Sequence, residues 1–167
     1  MNTAVKRTAL VIRDLLAYNE QLIRVGRQNF ERVQFETDYI VVDNLGAMQR
    51  IASGQTFDDV AENMVYDALL SGRVTVDFYG SNAYATATTL GLLMNSQAAL
   101  ELKDLYAITL YQSAGLTDVK ALTGQQYGER VQIEFTATIS VKEVVNTLRI
   151  DTAQIEIRTK DGIQYAN

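Results

Sequence analysis

The residues from Arg130 to Val141 alternate strictly between polar and apolar side chains, and this pattern restricts the fold more than any other feature of the sequence. Every odd position is apolar and every even position is polar or charged over these twelve residues. A period of two places alternate side chains on opposite faces of a β-strand. At about 3.3 Å per residue the strand would be roughly 40 Å long, against about 17–20 Å for an ordinary strand. We therefore predict a long strand inside an antiparallel sheet with a core packed on one face.

A second stretch alternates in the same way and is the predicted partner of the first strand. From Met64 to Phe78 the even positions are mostly apolar, and the pattern is interrupted at Ser71–Gly72. Such an interruption is typical of a bend or a bulge. A helical alternative stays open for Phe57–Leu70, because apolar residues there also recur at steps of four. The apolar faces of the two strands are expected to line the same core.

Two helices are predicted from apolar residues at helical spacing. The first covers Thr3–Val25 and ends at Gly26, a residue type that commonly terminates helices. The second covers Ala83–Met94, with Gly80, Ser81 and Asn82 before it as end and cap. This second helix is rich in Ala and Thr, so it can approach a neighbour closely. A short helical turn follows at Gln97–Lys103.

The remaining segments complete an α+β prediction, a single domain over residues 1–167 with two main helices on a mostly antiparallel sheet. Further strands are predicted at Asp38–Leu45, Tyr106–Tyr111 and Ala153–Arg158, and the first of these could run on through Ile51. The predicted connections are a hairpin tip at Ser53–Thr56, a loop at Gln112–Thr123, a helical turn or wide connection at Lys142–Leu148, and a turn at Lys160–Gly162 before a frayed tail. The predicted core face of the long strand consists of Val131, Ile133, Phe135, Ala137, Ile139 and Val141.

The composition argues against catalysis. The chain has no His and no Cys, so it lacks the commonest general base, a thiolate nucleophile and the usual zinc ligands. Asp58, Asp59 and Glu62 form the densest carboxylate group, but their spacing is not that of an EF-hand, and a solvated loop is favoured. The Gly-rich residues 124–128 precede no helix that could present amides to a phosphate. We therefore expect neither an enzyme nor a cofactor.

The charge is unevenly distributed along the chain. Residues 1–32 carry six cations and three anions, whereas the remainder carries nine cations and seventeen anions. An acidic body argues against sequence-independent binding of nucleic acid, which requires clustered Lys and Arg. The basic segment is expected to be a solvated helix face, or alternatively a face that meets an acidic neighbour. No apolar run approaches the ~20 residues of a membrane span, and no signal peptide is evident, so a soluble intracellular product is expected.

Three stretches together resemble a known family. They are Leu22–Asn29 running into Tyr39–Val42, the segment Val76–Ala85 that opens the second helix, and Leu122–Phe135. In pattern and order they are similar to the neck or tail terminator (tail completion) proteins of tailed bacteriophages, over roughly Leu15 to Ile157. One departure is that those relatives favour Pro after the first helix, where this chain has Phe30-Glu-Arg-Val.

The resemblance implies a structural virion protein, made in the host cytoplasm and located in the tail or neck. It implies a ring, usually a homo-hexamer, at the head-proximal end of the tail tube, which stops tube growth and joins the head-side connector. The implied partners are other copies of the chain, tail tube or sheath subunits, and connector proteins. DNA would pass through the lumen without specific binding, and no membrane is involved. The alternatives are a tube subunit or head–tail connector, and a small ligand-binding or enzymatic α+β domain.

Candidate interface residues follow from the ends of the predicted strands, where a ring would present loops to its neighbours. Arg24, Arg27 and Arg32 could also pair with Asp58, Asp59 or Glu62 of an adjacent copy. The predicted interface set is Arg24, Arg27, Arg32, Ser53, Gly54, Gln55, Asp58, Asp59, Gln125, Gln126, Tyr127 and Arg130. No catalytic, cofactor or metal residue is assigned.

Overall fold

The computed structural model describes residues 3–26, 38–58, 60–119, 121–123, 126–146, 155–159 and 162–166, with the backbone alone at 121–123, 126–128, 155–159 and 162–166. In this part of the chain three α-helices accompany a mostly antiparallel sheet. The helices are α1 (Thr3–Leu15), α2 (Ala83–Leu93) and α3 (Gln97–Leu105). The strands are β1 (Ile23–Val25), β2 (Tyr39–Asn44), β3 (Gln49–Asp58), β4 (Asn63–Tyr79), β5 (Ile108–Gln112), β6 (Thr117–Asp118), β7 (Ala121–Thr123), β8 (Gln126–Gly128), β9 (Arg130–Asn146), β10 (Ile155–Thr159) and β11 (Gly162–Ala166).

The central sheet has seven strands, and its main path runs β1-β2-β4-β9-β5. In addition, β3 pairs with β4 and β6 pairs with β9. The β1–β2 pair is parallel, whereas β2–β4 and β5–β9 are antiparallel. The two long strands predicted from alternation, β4 and β9, are neighbours at the centre of this sheet. The α+β class is therefore confirmed, and the third described helix, α3, lies where a short helical turn was predicted at Gln97–Lys103.

The core lies between one face of this sheet and the helices. Register places Ile40 beside Phe78 on β2–β4 and Leu110 beside Ala137 on β5–β9, and all four side chains are buried. On β9 the odd positions from Val131 to Ile139 are buried and the even positions are partly exposed. The helices cover this face with buried residues of α1 and α2, which are Ala4, Val5, Val11, Ile12, Ala83, Ala87 and Leu90. Val141 was predicted to lie in the core but is 38% exposed.

The first helix is shorter than predicted, since α1 ends at Leu15 and not at Val25. Ala17 has a φ of 47°, in the left-handed region that interrupts a right-handed helix. The side chain of Asn19 then caps a short 3₁₀ turn at Glu20–Leu22, and Ile23–Val25 pairs as a strand with β2. Tertiary pairing of β-branched residues has thus overridden the helical spacing of the apolar positions.

The hairpin between β3 and β4 turns later than the sequence predicted. Ser53–Thr56 lies within β3 and is not the tip, and Phe57–Leu70 is not helical. The chain reverses between Asp58 and Asn63, where the Asp58 carboxylate accepts hydrogen bonds from the backbone N–H groups of Val60 and Ala61 at 3.1 Å each. Such a turn is favoured by Asp because its side chain replaces a backbone partner.

Other predicted segments also differ. Lys142–Asn146 continues β9 instead of forming a helical turn, and the Gln112–Thr123 loop contains β6 and β7. Ser71–Gly72 lies within the continuous strand β4. The segment after the last predicted strand is not a frayed tail, because β11 pairs with β10. The predicted strand at Asp38–Leu45 is confirmed by β2, although it does not run on unbroken to Ile51.

The chain divides into two compact units, Met1–Ser53 with Ala68–Val141, and Gly54–Asp67 with Lys142–Asn167. The first unit contains the three helices and the core described above. In the second unit, β10 and β11 form an antiparallel pair in which Thr159 lies beside Gly162. Also in the second unit, Gly54 lies against the side chain of Asp67, so a Cβ at this position would overlap that carboxylate. The prediction of a single domain stays a prediction.

The corner between β4 and α2 sets the start of the second helix. Gly80 has a φ of +102°, a backbone conformation that residues other than glycine rarely adopt. Asp38 fills the space beside it and accepts hydrogen bonds from the backbone N–H of Asn82 at 3.2 Å and from its side-chain amide at 2.6 Å. The side chain of Asn82 is thus hydrogen-bonded to Asp38, the residue before β2. This contact holds Asn82 in place immediately before α2 and fixes where the helix begins.

Candidate functional site

The face of the sheet opposite the helices is open and polar, and it is the first candidate surface. In the β2–β4 register Tyr39 lies beside Tyr79 and Val41 beside Asp77. The even residues of β9 project from the same face, because its odd residues are buried under the helices. No described helix covers this face.

One half of the open face carries a buried ion pair. Asp77 is only 6% exposed, and its Oδ1 accepts hydrogen bonds from Arg130 Nε at 3.1 Å and Gln132 Nε2 at 3.0 Å. Arg130 Nη2 lies at 3.1 Å from the same oxygen, so the guanidinium makes two contacts with it. Burial raises the pKa of the Asp77 carboxyl, and Arg130 and Gln132 counteract part of that rise.

Two tyrosines extend this cluster. The rings of Tyr39 and Tyr79 stack with centroids 4.6 Å apart and planes 2° from parallel. The Arg130 guanidinium lies 5.5 Å from the centroid of Tyr79, within the range of a cation–π interaction. Burial raises the pKa of both phenols, and the Asp77 carboxylate adds to the rise at Tyr79. The charges of this half are thus matched within the chain, which suits a structural role better than acid–base chemistry.

The other half of the open face carries one exposed ion pair, in which Arg73 Nη1 lies 3.8 Å from Glu134 Oε2, and an uncharged patch beside it. We call this patch the threonine face, and it consists of Ser71, Thr109, Tyr111, Thr136 and Thr138. Register places Thr109 beside Thr138 and Tyr111 beside Thr136. Thr138 Oγ1 donates a hydrogen bond to Ser71 Oγ at 3.2 Å, which links β9 to β4. Tyr111 is 56% exposed, so an aromatic side chain stands at the edge strand of this surface.

The second candidate surface is the outer side of α2. Its eleven residues include no Asp, Glu, Lys or Arg, and Ala83, Ala87 and Leu90 on its inner side are buried. The opposite side, which we call the α2 outer face, consists of Tyr84, Ala85, Thr88, Thr89 and Leu92. Tyr84 is 62% exposed and Leu92 is 76% exposed. A helix that is apolar all round is expected to be covered on all sides.

The predicted interface residues fall in several places. Arg24 lies on the edge strand β1. Its charge opposes part of the rise that burial causes in the pKa of the Tyr39 phenol. Ser53, Gly54 and Gln55 lie within β3, all of whose residues are exposed. Asp58 closes the turn after β3, and its oxygen is occupied by backbone N–H groups.

The other predicted residues fall into three groups. Arg27, Arg32, Asp59 and Gln125 lie outside the described residues, while Gln126 and Tyr127 are described only as backbone of β8. Arg130 is engaged with Asp77. The interface roles of the whole set therefore stay predictions.

Some surface residues were missed from the sequence. The pairing of Asp77 with Arg130 requires the β4–β9 register, which alternation alone does not provide. Tyr84 and Leu92 had a visible signal, since α2 lacks charge on every side, but only its buried side was assigned.

Comparison with known families decides the identity of the chain. A family model for the phage neck terminator protein matches residues 5–162. The chain belongs to the phage neck terminator protein family. It is accordingly a structural component of the bacteriophage neck, located in the virion. No curated protein was found to match the chain.

Two further observations concern other kinds of site. In the part of this neck protein that the structure describes, no group of three or more His, Cys, Asp or Glu side chains is arranged to hold a metal ion. None of the described helices combines the length and apolar character that a bilayer crossing requires.

Proposed function

We propose that this neck protein forms a closed ring at the head-proximal end of the tail, where it ends the growth of the tail tube and joins it to the head-side connector. The observation that carries the proposal is membership of the phage neck terminator family over nearly the whole chain. A ring of identical subunits, usually six in this kind of protein, is the finer part of the proposal.

The surface of the described residues supports a subunit that is buried in an assembly. Large apolar side chains are exposed on several elements, including Ile51 at 58%, Leu92 at 76% and Val144 at 58%. The ten residues of β3 are all exposed although the strand is paired in the sheet. Apolar side chains that form contiguous patches mark interaction sites, and those at a subunit contact would be covered in the assembly.

The charge of the chain supports passage of DNA through the ring without retention. The net charge is −5, and the acidic residues lie mainly after residue 32. A polyanion is held by clusters of Lys and Arg that displace its counterions. In the proposed ring, a lumen poor in cations lets DNA move through it.

Light scattering coupled to size-exclusion chromatography, at several protein concentrations, tests this function. The expected result is one closed oligomer of fixed mass that binds the ends of purified tail tubes and blocks further addition of tube subunits. A monomer at every concentration with no binding to tubes would contradict the proposal. Open-ended filaments would instead indicate a tube subunit, and binding to the head portal without binding to tubes would indicate a connector.

A further inference from the structure

We propose that neighbouring copies contact each other head to tail, with the α2 outer face of one copy lying on the threonine face of the next. This inference rests on the proposed ring and names the two surfaces that build it. Both surfaces belong to the same compact unit and lie on opposite sides of its helix-on-sheet layers.

Charge is the first argument for this contact. Each copy has a net charge of −5, so identical copies repel one another unless they meet where charge is absent. The α2 outer face and the threonine face contain no ionisable acid or base apart from tyrosine, and the charges that border the threonine face, Arg73 and Glu134, are opposite and paired with each other. By contrast, the exposed Leu100 and Leu105 of α3 share their helix with Glu101, Lys103 and Asp104. Interface cores are depleted of charged residues and enriched in tyrosine, which both surfaces contain.

Hydrogen bonding is the second argument. Burying a hydroxyl without a partner is costly, so a surface suited to burial has its donors already occupied. On α2, Thr88 Oγ1 donates to the carbonyl of Tyr84 at 2.8 Å and Thr89 Oγ1 donates to the carbonyl of Ala85 at 2.9 Å. On the sheet, Thr138 Oγ1 donates to Ser71 Oγ. These threonines can therefore turn their methyl groups toward a neighbour without losing a bond.

The number and position of the two surfaces indicate what binds to each of them. One chain carries two uncharged surfaces of different shape, a ridged helix and a flatter sheet, on opposite sides. A contact between unlike surfaces is heterologous, and it repeats from copy to copy until rotation closes a ring. A contact between like surfaces would stop at a two-fold dimer. A second copy is thus the partner that uses both surfaces at once.

Two charge insertions and one control test the contact. Leu92→Glu places a charge in the α2 outer face, and Tyr111→Glu places one in the threonine face. Leu105→Glu is the matched control, because this leucine is 70% exposed and lies on α3, outside both surfaces. Circular dichroism and urea unfolding establish that each variant folds. We expect the first two variants to need at least a tenfold higher concentration to assemble, and the control to assemble as the unmodified chain does.

Mixing the two defective variants gives the decisive measurement. Leu92→Glu retains an intact threonine face and Tyr111→Glu retains an intact α2 outer face, so one contact can form between them. The expected product is a one-to-one heterodimer that does not grow, detected by light scattering. Rings formed by either variant alone, or a mixture that stays monomeric, would overturn this contact while leaving the ring proposal standing. If the unmodified chain is monomeric at all concentrations, the ring itself is refuted, and the contact with it.

Discussion

At the scale of single residues, the ion pair between Asp77 and Arg130 joins a buried carboxylate to a partly exposed guanidinium. The Asp77 side chain is 8% exposed and the Arg130 side chain 29% exposed, so the carboxylate is the more desolvated partner. Removing the cation leaves a buried charge without compensation, which is more costly than losing a pair at the surface. The structural importance of Arg130 is thus mainly its effect on Asp77.

Arg130→Ala is expected to lower the free energy of unfolding by about 2–3 kcal/mol at neutral pH, and by less in acid. Burial already raises the pKa of Asp77 in the folded protein above its unfolded value, and Arg130 holds it down in part. Stability from such a group is lost as pH rises between the unfolded and folded pKa values. Without Arg130 the folded pKa is higher, so this loss extends over a wider range of pH.

Urea unfolding at about pH 4.5 and pH 7 measures this difference, since the ordinary Asp pKa is near 3.9. Arg73→Ala is the control, because Arg73 is 60% exposed and its nitrogen lies 3.8 Å from Glu134. Its effect should stay within about 0.5 kcal/mol at both pH values. Equal destabilisation by Arg130→Ala at the two pH values would contradict the assigned role of Asp77.

At the scale of elements, α2 presents two leucines with opposite environments only two positions apart. Leu90 is fully buried and Leu92 is 76% exposed. Leu90→Ala should lower the free energy of unfolding of the monomer by about 2–5 kcal/mol, because it leaves a cavity in the core. Leu92→Ala should change it by less than about 0.5 kcal/mol. Denaturant unfolding at a concentration below assembly compares them, and a large effect of Leu92→Ala would mean that its side chain is covered within the monomer.

The elements also show how far the sequence predicts this fold. Strict alternation in Arg130–Val141 identified β9 correctly, because one face of the strand is partly exposed to solvent and the other is buried under helices. Prediction failed where one pattern fits two structures. Leu22 and Ile23 match a helical stripe, but pairing of Ile23 with Ile40 in the sheet decides the outcome. Val144 and Val145 likewise have helical spacing, yet they continue β9.

The candidate surfaces were less predictable than the fold. Turn composition at Ser53-Gly54 suggested a hairpin tip, whereas the turn is made by the Asp58 carboxylate and its backbone partners. The threonine face requires the β5–β9 register, which sets Tyr111 beside Thr136. Side chains brought together by strand pairing cannot be read from the spacing within one strand.

At the scale of the whole molecule, the proposed contact makes a prediction about salt. Two interface hypotheses predict opposite effects of salt on assembly. In the first, uncharged surfaces of acidic subunits meet; in the second, cations such as Arg24 pair with Asp58 of an adjacent copy. Salt screens repulsion between like-charged subunits, and it also screens attraction between opposite charges. The dependence of assembly on ionic strength therefore separates the two.

Raising NaCl from about 0.05 M to about 0.5 M should strengthen assembly several-fold, because it weakens the repulsion between copies that each carry a charge of −5. Sedimentation velocity across a concentration series measures the effect, and NaCl avoids the strong general promotion of burial that sulfate would add. Arg24→Glu should leave assembly at high salt unchanged if the surfaces in contact are uncharged. The opposite result has two parts: the unmodified chain assembles less at high salt, and Arg24→Glu abolishes its assembly. That result would establish that ion pairs between adjacent copies hold the oligomer together.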